Sequence, residues 1–226
     1  MSGNIIVGIA HSASTPVLSL FNMNRPQDEL PFSSMILVEP ALMTRGVLKA
    51  FKATGDGSSV FQQLIDSANS RRDIWSSREA AREWFVKRAP WKTWDKRVLD
   101  SFVDHGLRSL PTGTYPDRHD GVTLACTRVQ EAAGYIYLED GIDAMNELSK
   151  LCPAIPVHCI LAGKKEHYVP EPIRQATIDA KKGRKMASVT TIEGAGHLLV
   201  QEAPEDLARV IWDIVRQMGN KPESRL

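Results

Sequence analysis

Cysteine is scarce in this chain: three residues in 226, at positions 126, 152 and 159, without the spacing of a metal site. An odd and sparse set argues against a disulfide scaffold and fits a reducing setting. Cys126 and Cys159 lie in apolar stretches and read as packing residues. Charge of one sign is lacking too. The formal net charge is +1, so no global basic field points to nucleic acid or an anionic membrane. The local clusters Arg71-Arg72 and Lys181-Lys182 read as solvated surface. No apolar run approaches the roughly 20 residues of a membrane-spanning helix. The N-terminus has no basic region followed by an apolar segment and a small-residue cleavage site, so no secretory signal is expected. Internal repeats and low-complexity tracts are absent from the sequence.

What is present is a set of short apolar runs bounded by Gly, Pro or polar residues. Ile5 to Ile9, Met35 to Val38, Val157 to Ala162 and Val189 to Ile192 read as buried strands. After the last comes the turn Glu193-Gly194-Ala195-Gly196. Then Leu207, Val210, Ile211, Ile214, Val215 and Met218 recur at helical spacing behind Pro204. Buried strands alternating with helices predict an α/β fold with a largely parallel sheet. Between the second and third strands lies a long insertion of different character. "VFQQLIDSA", "SREAAREWFVKRA" and "WDKRVLDSFVDHGLRSL" read as helices, and Trp75, Trp84, Trp91 and Trp94 fall among them. These aromatics either build the insertion's own core or line an apolar cavity.

Two short stretches carry chemistry. "GIAHSASTPV" follows the first strand and places Ser12 at a sharp bend before a helix. Ser12 is either a helix N-cap or a nucleophile that needs partners elsewhere. "GAGHLLVQEAP" places His197 on a loop at the carboxyl end of the last strand, where open α/β sheets hold their ligands. Nucleophile first and histidine last, with a carboxylate between them, resembles the chain order of the α/β-hydrolases. The elbow pattern G-x-S-x-G reads Ala10-His11-Ser12-Ala13-Ser14 here, with small residues in place of both glycines.

The resemblance implies Ser12 as nucleophile, His197 as base and the N–H of Ala13 as an oxyanion donor. Two residues compete for the acid. "LAGKKEHYVPEP" puts Glu166 in the register of the family's post-strand aspartate, which favours it; "LVEPAL" puts Glu39 after the preceding strand. A serine at the elbow favours ester or thioester cleavage through an acyl-enzyme over haloalkane or epoxide chemistry. "DGVTLACTRVQEAAGY" and "VDHGLRSLP" resemble a fungal branch with peroxisomal members, the abhydrolases of host-selective toxin biosynthesis of the AK-toxin type. That likeness implies a small-molecule, fatty-acyl-like substrate and no metal or organic cofactor.

The expected architecture is an α/β-hydrolase fold, N-terminally truncated so that it begins at the nucleophile strand. Its core comprises residues 1–40 and 155–220, a helical cap residues 41–154, and a tail residues 221–226. A sheet that starts with this strand leaves an apolar edge, a route to self-association. It also lacks the loop that gives the family a second oxyanion donor, so a catalytically impaired remnant acting as a binding or scaffold partner is the alternative reading. Ser224-Arg225-Leu226 fits the small–basic–Leu peroxisomal signal, which implies an import receptor as partner and the peroxisome as location.

Overall fold

The computed structural model describes residues 5–53, 57–136, 139–164 and 169–219. Along the chain the elements are β1 (Val7–His11), α1 (Ser14–Leu20), β2 (Ser34–Val38), α2 (Arg45–Ala53), α3 (Gly57–Ser70), β3 (Ile74–Trp75), α4 (Arg78–Phe85), α5 (Lys96–His105), β4 (Leu107–Ser109), β5 (Val122–Leu124), α6 (Arg128–Ala133), α7 (Glu139–Ala154), β6 (Val157–Ala162), α8 (Glu171–Thr177), β7 (Ser188–Ile192), α9 (Leu199–Glu202) and α10 (Pro204–Gly219). They divide into two compact units, Met1–Leu48 with Leu138–Leu226, and Lys49–Tyr137.

The first unit is built on a parallel sheet in the order β1-β2-β6-β7. All five residues of β2 are buried, because the strand is central and covered on both faces. Its side chains alternate between two cores, as the period-2 pleat requires. Ile36 and Val38 join Ile160, Ala162, Ile192, Leu207 and Ile214 on the side of α10. Met35 and Leu37 join Ala144, Met145, Leu148 and Leu151 on the side of α7. Truncating any one of these large side chains to alanine costs about 2–5 kcal/mol by the usual behaviour of packed cores. The expected division of the chain shifts accordingly. Residues 139–154, assigned to the cap from their place between strands, form α7 and supply a face of the sheet's core. Periodicity reports that a helix has an apolar face, not which partner that face meets.

The second unit has its own core, and the tryptophans build it. Trp75, Phe85 and Trp91 are buried with Leu99, Val103, Leu107, Val122 and Leu124. The Phe85 and Trp91 ring centroids are 4.8 Å apart and those of Trp75 and Phe85 5.0 Å, within the range of favourable aromatic pairing. This unit is not wholly helical. An antiparallel sheet β3-β5-β4 runs through it, and the end of the segment expected as a helix to residue 110 is β4. At the entry to β5, Gly121 takes φ +100, and a Cβ there would lie 2.3 Å from the Trp75 carbonyl oxygen. Only glycine fits this close approach. Arg71 is not solvated surface: it pairs with Glu131, and its guanidinium lies 5.5 Å from the Trp91 ring centre. Cys126, expected to pack, is exposed, whereas Cys159 is buried.

Candidate active site

The site is built where three neighbouring parallel strands end. Register pairs His11 of β1 with Val38 of β2, and Val38 with Ile160 of β6. The next residues, Ser12 and Glu39, still donate backbone N–H bonds to the adjacent strand, to Val38 O at 3.0 Å and to Ile160 O at 2.8 Å. Both then turn sharply. Ser12 has φ 50 and Glu39 φ 44, left-handed conformations that cost a non-glycine residue about 1–3 kcal/mol each. Such strain persists where the surroundings over-determine it, and here they do. Thr15, fully buried, donates its hydroxyl to Ser12 O at 2.6 Å and accepts from Ala41 N–H at 3.2 Å, tying the two bends together.

Ser12 does not cap α1. The cap position is Ala13, without a side-chain cap bond, and Ser14 Oγ accepts from His11 N–H of β1 at 2.9 Å. The Ser12 hydroxyl lies instead 2.7 Å from His197 Nε2. His197 arrives on the loop after β7. Gly194 at φ +76 makes its turn, and Gly196 N–H is held by Glu202 Oε2 at 3.0 Å. Only 6 % of His197 is exposed, and its Nδ1 is 3.1 Å from Glu39 Oε2.

Glu39 is 1 % exposed and fully engaged. Ala162 N–H donates to Oε1 at 2.6 Å, and Arg174 Nη2 to Oε2 at 2.9 Å. Burial by itself raises a carboxyl's pKa. The His197 bond, the Ala162 N–H and the Arg174 charge together outweigh it and hold Glu39 below its ordinary range. An ionised carboxylate only accepts, so His197 Nδ1 carries the proton and Nε2 is left to accept from the Ser12 hydroxyl. The nearby Cys159 thiol is pushed up to about 12, first by burial and then by the Glu39 charge, and stays neutral.

Of the residues singled out from sequence, Ser12, His197 and Glu39 meet in space, and Ala13 follows Ser12 at the head of α1. Glu166 and the tripeptide Ser224-Arg225-Leu226 lie outside the described residues. Two participants carried no sequence signal. Arg174 sits in "EPIRQAT", a helix start like any other, and is 9 % exposed. His11 directs Nε2 at the His197 carbonyl oxygen, 2.9 Å away. Burial holds its imidazole below the usual pKa despite that bond, which acts to raise it. Among the described residues no cluster of His, Cys, Asp and Glu is arranged to hold a metal, and no helix is long and apolar enough to cross a membrane.

Solved structures match nearly the whole chain, two of them as follows. The peroxisomal α/β-hydrolase Lpx1 from Saccharomyces cerevisiae superposes with a TM-score of 0.68 at 15 % identity, over 97 % of this chain and 55 % of that one. E-2-(Acetamidomethylene)succinate hydrolase gives 0.66 at 12 % identity, over 94 % of this chain and 67 % of that one. The fold is that of the α/β-hydrolases. The present chain thus spans little more than half the length of Lpx1. No family model matches the chain, and no curated protein matches its sequence.

Proposed function

We propose that the protein is a serine hydrolase of acyl esters or thioesters, with Ser12 as nucleophile, His197 as general base and Glu39 as the acid. The observation that carries this reading is the continuous path Ser12 Oγ–His197 Nε2, His197 Nδ1–Glu39 Oε2, at 2.7 and 3.1 Å. In the first step Ser12 Oγ attacks the acyl carbonyl carbon while its proton passes to His197 Nε2. Buried Glu39 stabilises the resulting imidazolium. The Ala13 N–H, beside the nucleophile at the start of α1, donates to the oxyanion. His197 returns the proton to the leaving oxygen or sulfur as the tetrahedral intermediate collapses. Water, deprotonated by the same imidazole, then releases the acid and restores Ser12.

The resemblance seen in the sequence supports a fatty-acyl-like substrate and a place in fungal host-selective toxin biosynthesis. The Ser224-Arg225-Leu226 tail supports peroxisomal import through its receptor, and Lpx1 is likewise a peroxisomal protein. One observation favours the alternative of a binding partner without turnover. Among the described residues β1 is an edge of the four-stranded sheet, and Ile9 on it and Ile5 and Ile6 just before it are about half exposed or more. Such an edge is suited to pairing with another chain or a second copy. The discriminating experiment is hydrolysis of p-nitrophenyl acyl esters by the purified chain and by Ser12→Ala, with size-exclusion chromatography alongside. The hydrolase reading expects a loss of several orders of magnitude in kcat/KM for the variant. Equal background rates from both proteins would leave the binding reading standing.

A further inference from the structure

Arg174 is a cation placed where the proposed reaction neither binds substrate nor moves a proton. Its guanidinium donates Nη1 to the Ala162 carbonyl at 3.0 Å and Nη2 to Glu39 Oε2 at 2.9 Å. The second acceptor is the oxygen that His197 Nδ1 uses. Arg174 and His197 therefore share one carboxylate oxygen, while the Ala162 N–H holds the other. A fixed positive charge is thus seated on the acid, one atom away from the imidazole.

We infer that Arg174 is a positioning residue that acts through Glu39, fixing the carboxylate against His197 and holding the Glu39–His197 pair to a single proton so that Nε2 stays free for Ser12. This role rests on the proposed hydrolase chemistry for its consequence, but not for its electrostatics. The pair, taken as a unit, carries one negative charge when His197 is neutral. An extra proton, whichever partner receives it, occupies the base and blocks it. A nearby cation opposes that proton, and its removal makes the pair bind it more tightly. The other groups facing the pair do not substitute for it. His11 at the end of β1 is held toward its neutral form, and the Cys159 thiol of β6 is neutral. Glu202 and Lys164, near the His197 loop, approach each other to 3.8 Å at its rim. Arg174 is the buried cation that touches Glu39.

The fork geometry adds orientation to charge. Planar guanidinium nitrogens reach the strand carbonyl and the carboxylate together, so the carboxylate plane is set relative to β6. Lysine would keep the charge and lose that bridging geometry.

The test is the titration of His197 by long-range proton–nitrogen correlation in 15N-labelled protein, the signal being assigned by its disappearance in His197→Gln. Arg174→Gln keeps a polar side chain, its amide nitrogen at the place of Nε and short of the Ala162 carbonyl, and removes the charge; it should move the His197 titration up by about 1 unit. Arg174→Lys should leave that titration close to wild type while slowing Ser12 labelling by a fluorophosphonate about tenfold through the lost fork. The acid limb of the labelling rate should move with the titration in Arg174→Gln. An unchanged His197 titration in Arg174→Gln overturns the inference. Should that variant fail to fold, Arg174→Lys decides: a shift of a full unit with the charge still present overturns it equally. If wild-type protein is not labelled at any pH, the hydrolase reading falls, while the titration still judges Arg174.

Discussion

Replacing Glu39 by Gln removes one charge and almost no volume, and the structure dictates where the new amide goes. Ala162 N–H donates to Oε1 at 2.6 Å, so the glutamine oxygen must stay there. The amide nitrogen then falls at the position of Oε2, facing His197 Nδ1 at 3.1 Å and Arg174 Nη2 at 2.9 Å. A donor toward Nδ1 selects the tautomer protonated on Nε2, which cannot accept the Ser12 proton. Loss of the correct tautomer costs about 10⁴ in kcat in the serine-protease case. Two donors also meet at Arg174, whose side chain is left buried without its anion. Breaking a buried pair from one side costs about 3–5 kcal/mol. Glu39→Gln is therefore expected to fold with a lowered Tm and to lose about 10³–10⁴ in kcat. The assay is ester hydrolysis at a temperature where circular dichroism shows both proteins folded, with Glu166→Gln as the parallel variant. A rate within threefold of wild type, or a larger loss in Glu166→Gln, would refute the assignment of the acid to Glu39 at the end of β2.

Linkage gives two further pH effects, and the tail gives a cellular one. Glu39 has a depressed value in the fold, so its ion pair contributes stability above the unfolded carboxyl value of about 4.3 and loses it as pH falls through the lower folded value. Chemical denaturation should accordingly show a stability gap between wild type and Glu39→Gln that is present at about pH 5 and closes below about 4. His11 is also depressed, from 6.5, so stability falls as pH drops through the unfolded value, where the unfolded chain alone takes the proton. His11→Gln can still present an N–H to the His197 carbonyl and should flatten the stability curve between about pH 6.5 and 5; an unaltered slope would contradict this. A fluorescent protein fused ahead of residue 1 should collect in peroxisomes and become diffuse when Ser224-Arg225-Leu226 is removed, whereas a diffuse intact fusion would remove the location.

The sheet of the first unit is legible because its strands are short, apolar and bounded by breakers. Val157 to Ala162 is the observed β6, and the other three strands differ from their expected ends by one or two residues. The Ser12 bend and the His197 loop were legible for a different reason. Each is a strand running into a turn of small residues, which is a local property. The carboxylate that faces His197 was not local. Whether Glu39 reaches His197 depends on β2 lying beside β1 in a register that brings Ser12 and Glu39 to the same end, and no spacing along the chain encodes that pairing. Motif register favoured Glu166 over Glu39, and Glu166 lies outside the described residues. Arg174 was hidden more completely, since buried arginines and surface arginines look alike in sequence until a partner is known. The strands of the second unit, "IW", "LRS" and "VTL", are too short for alternation to register.

The central claim is that the Ser12 hydroxyl is made nucleophilic by His197. Its most direct measurement is peptide mapping by mass spectrometry after treatment with a fluorophosphonate. One adduct is expected, on the peptide containing Ser12, formed by wild-type protein and absent from both Ser12→Ala and His197→Gln. An adduct on another residue, or equal labelling of Ser12 in His197→Gln, would contradict it.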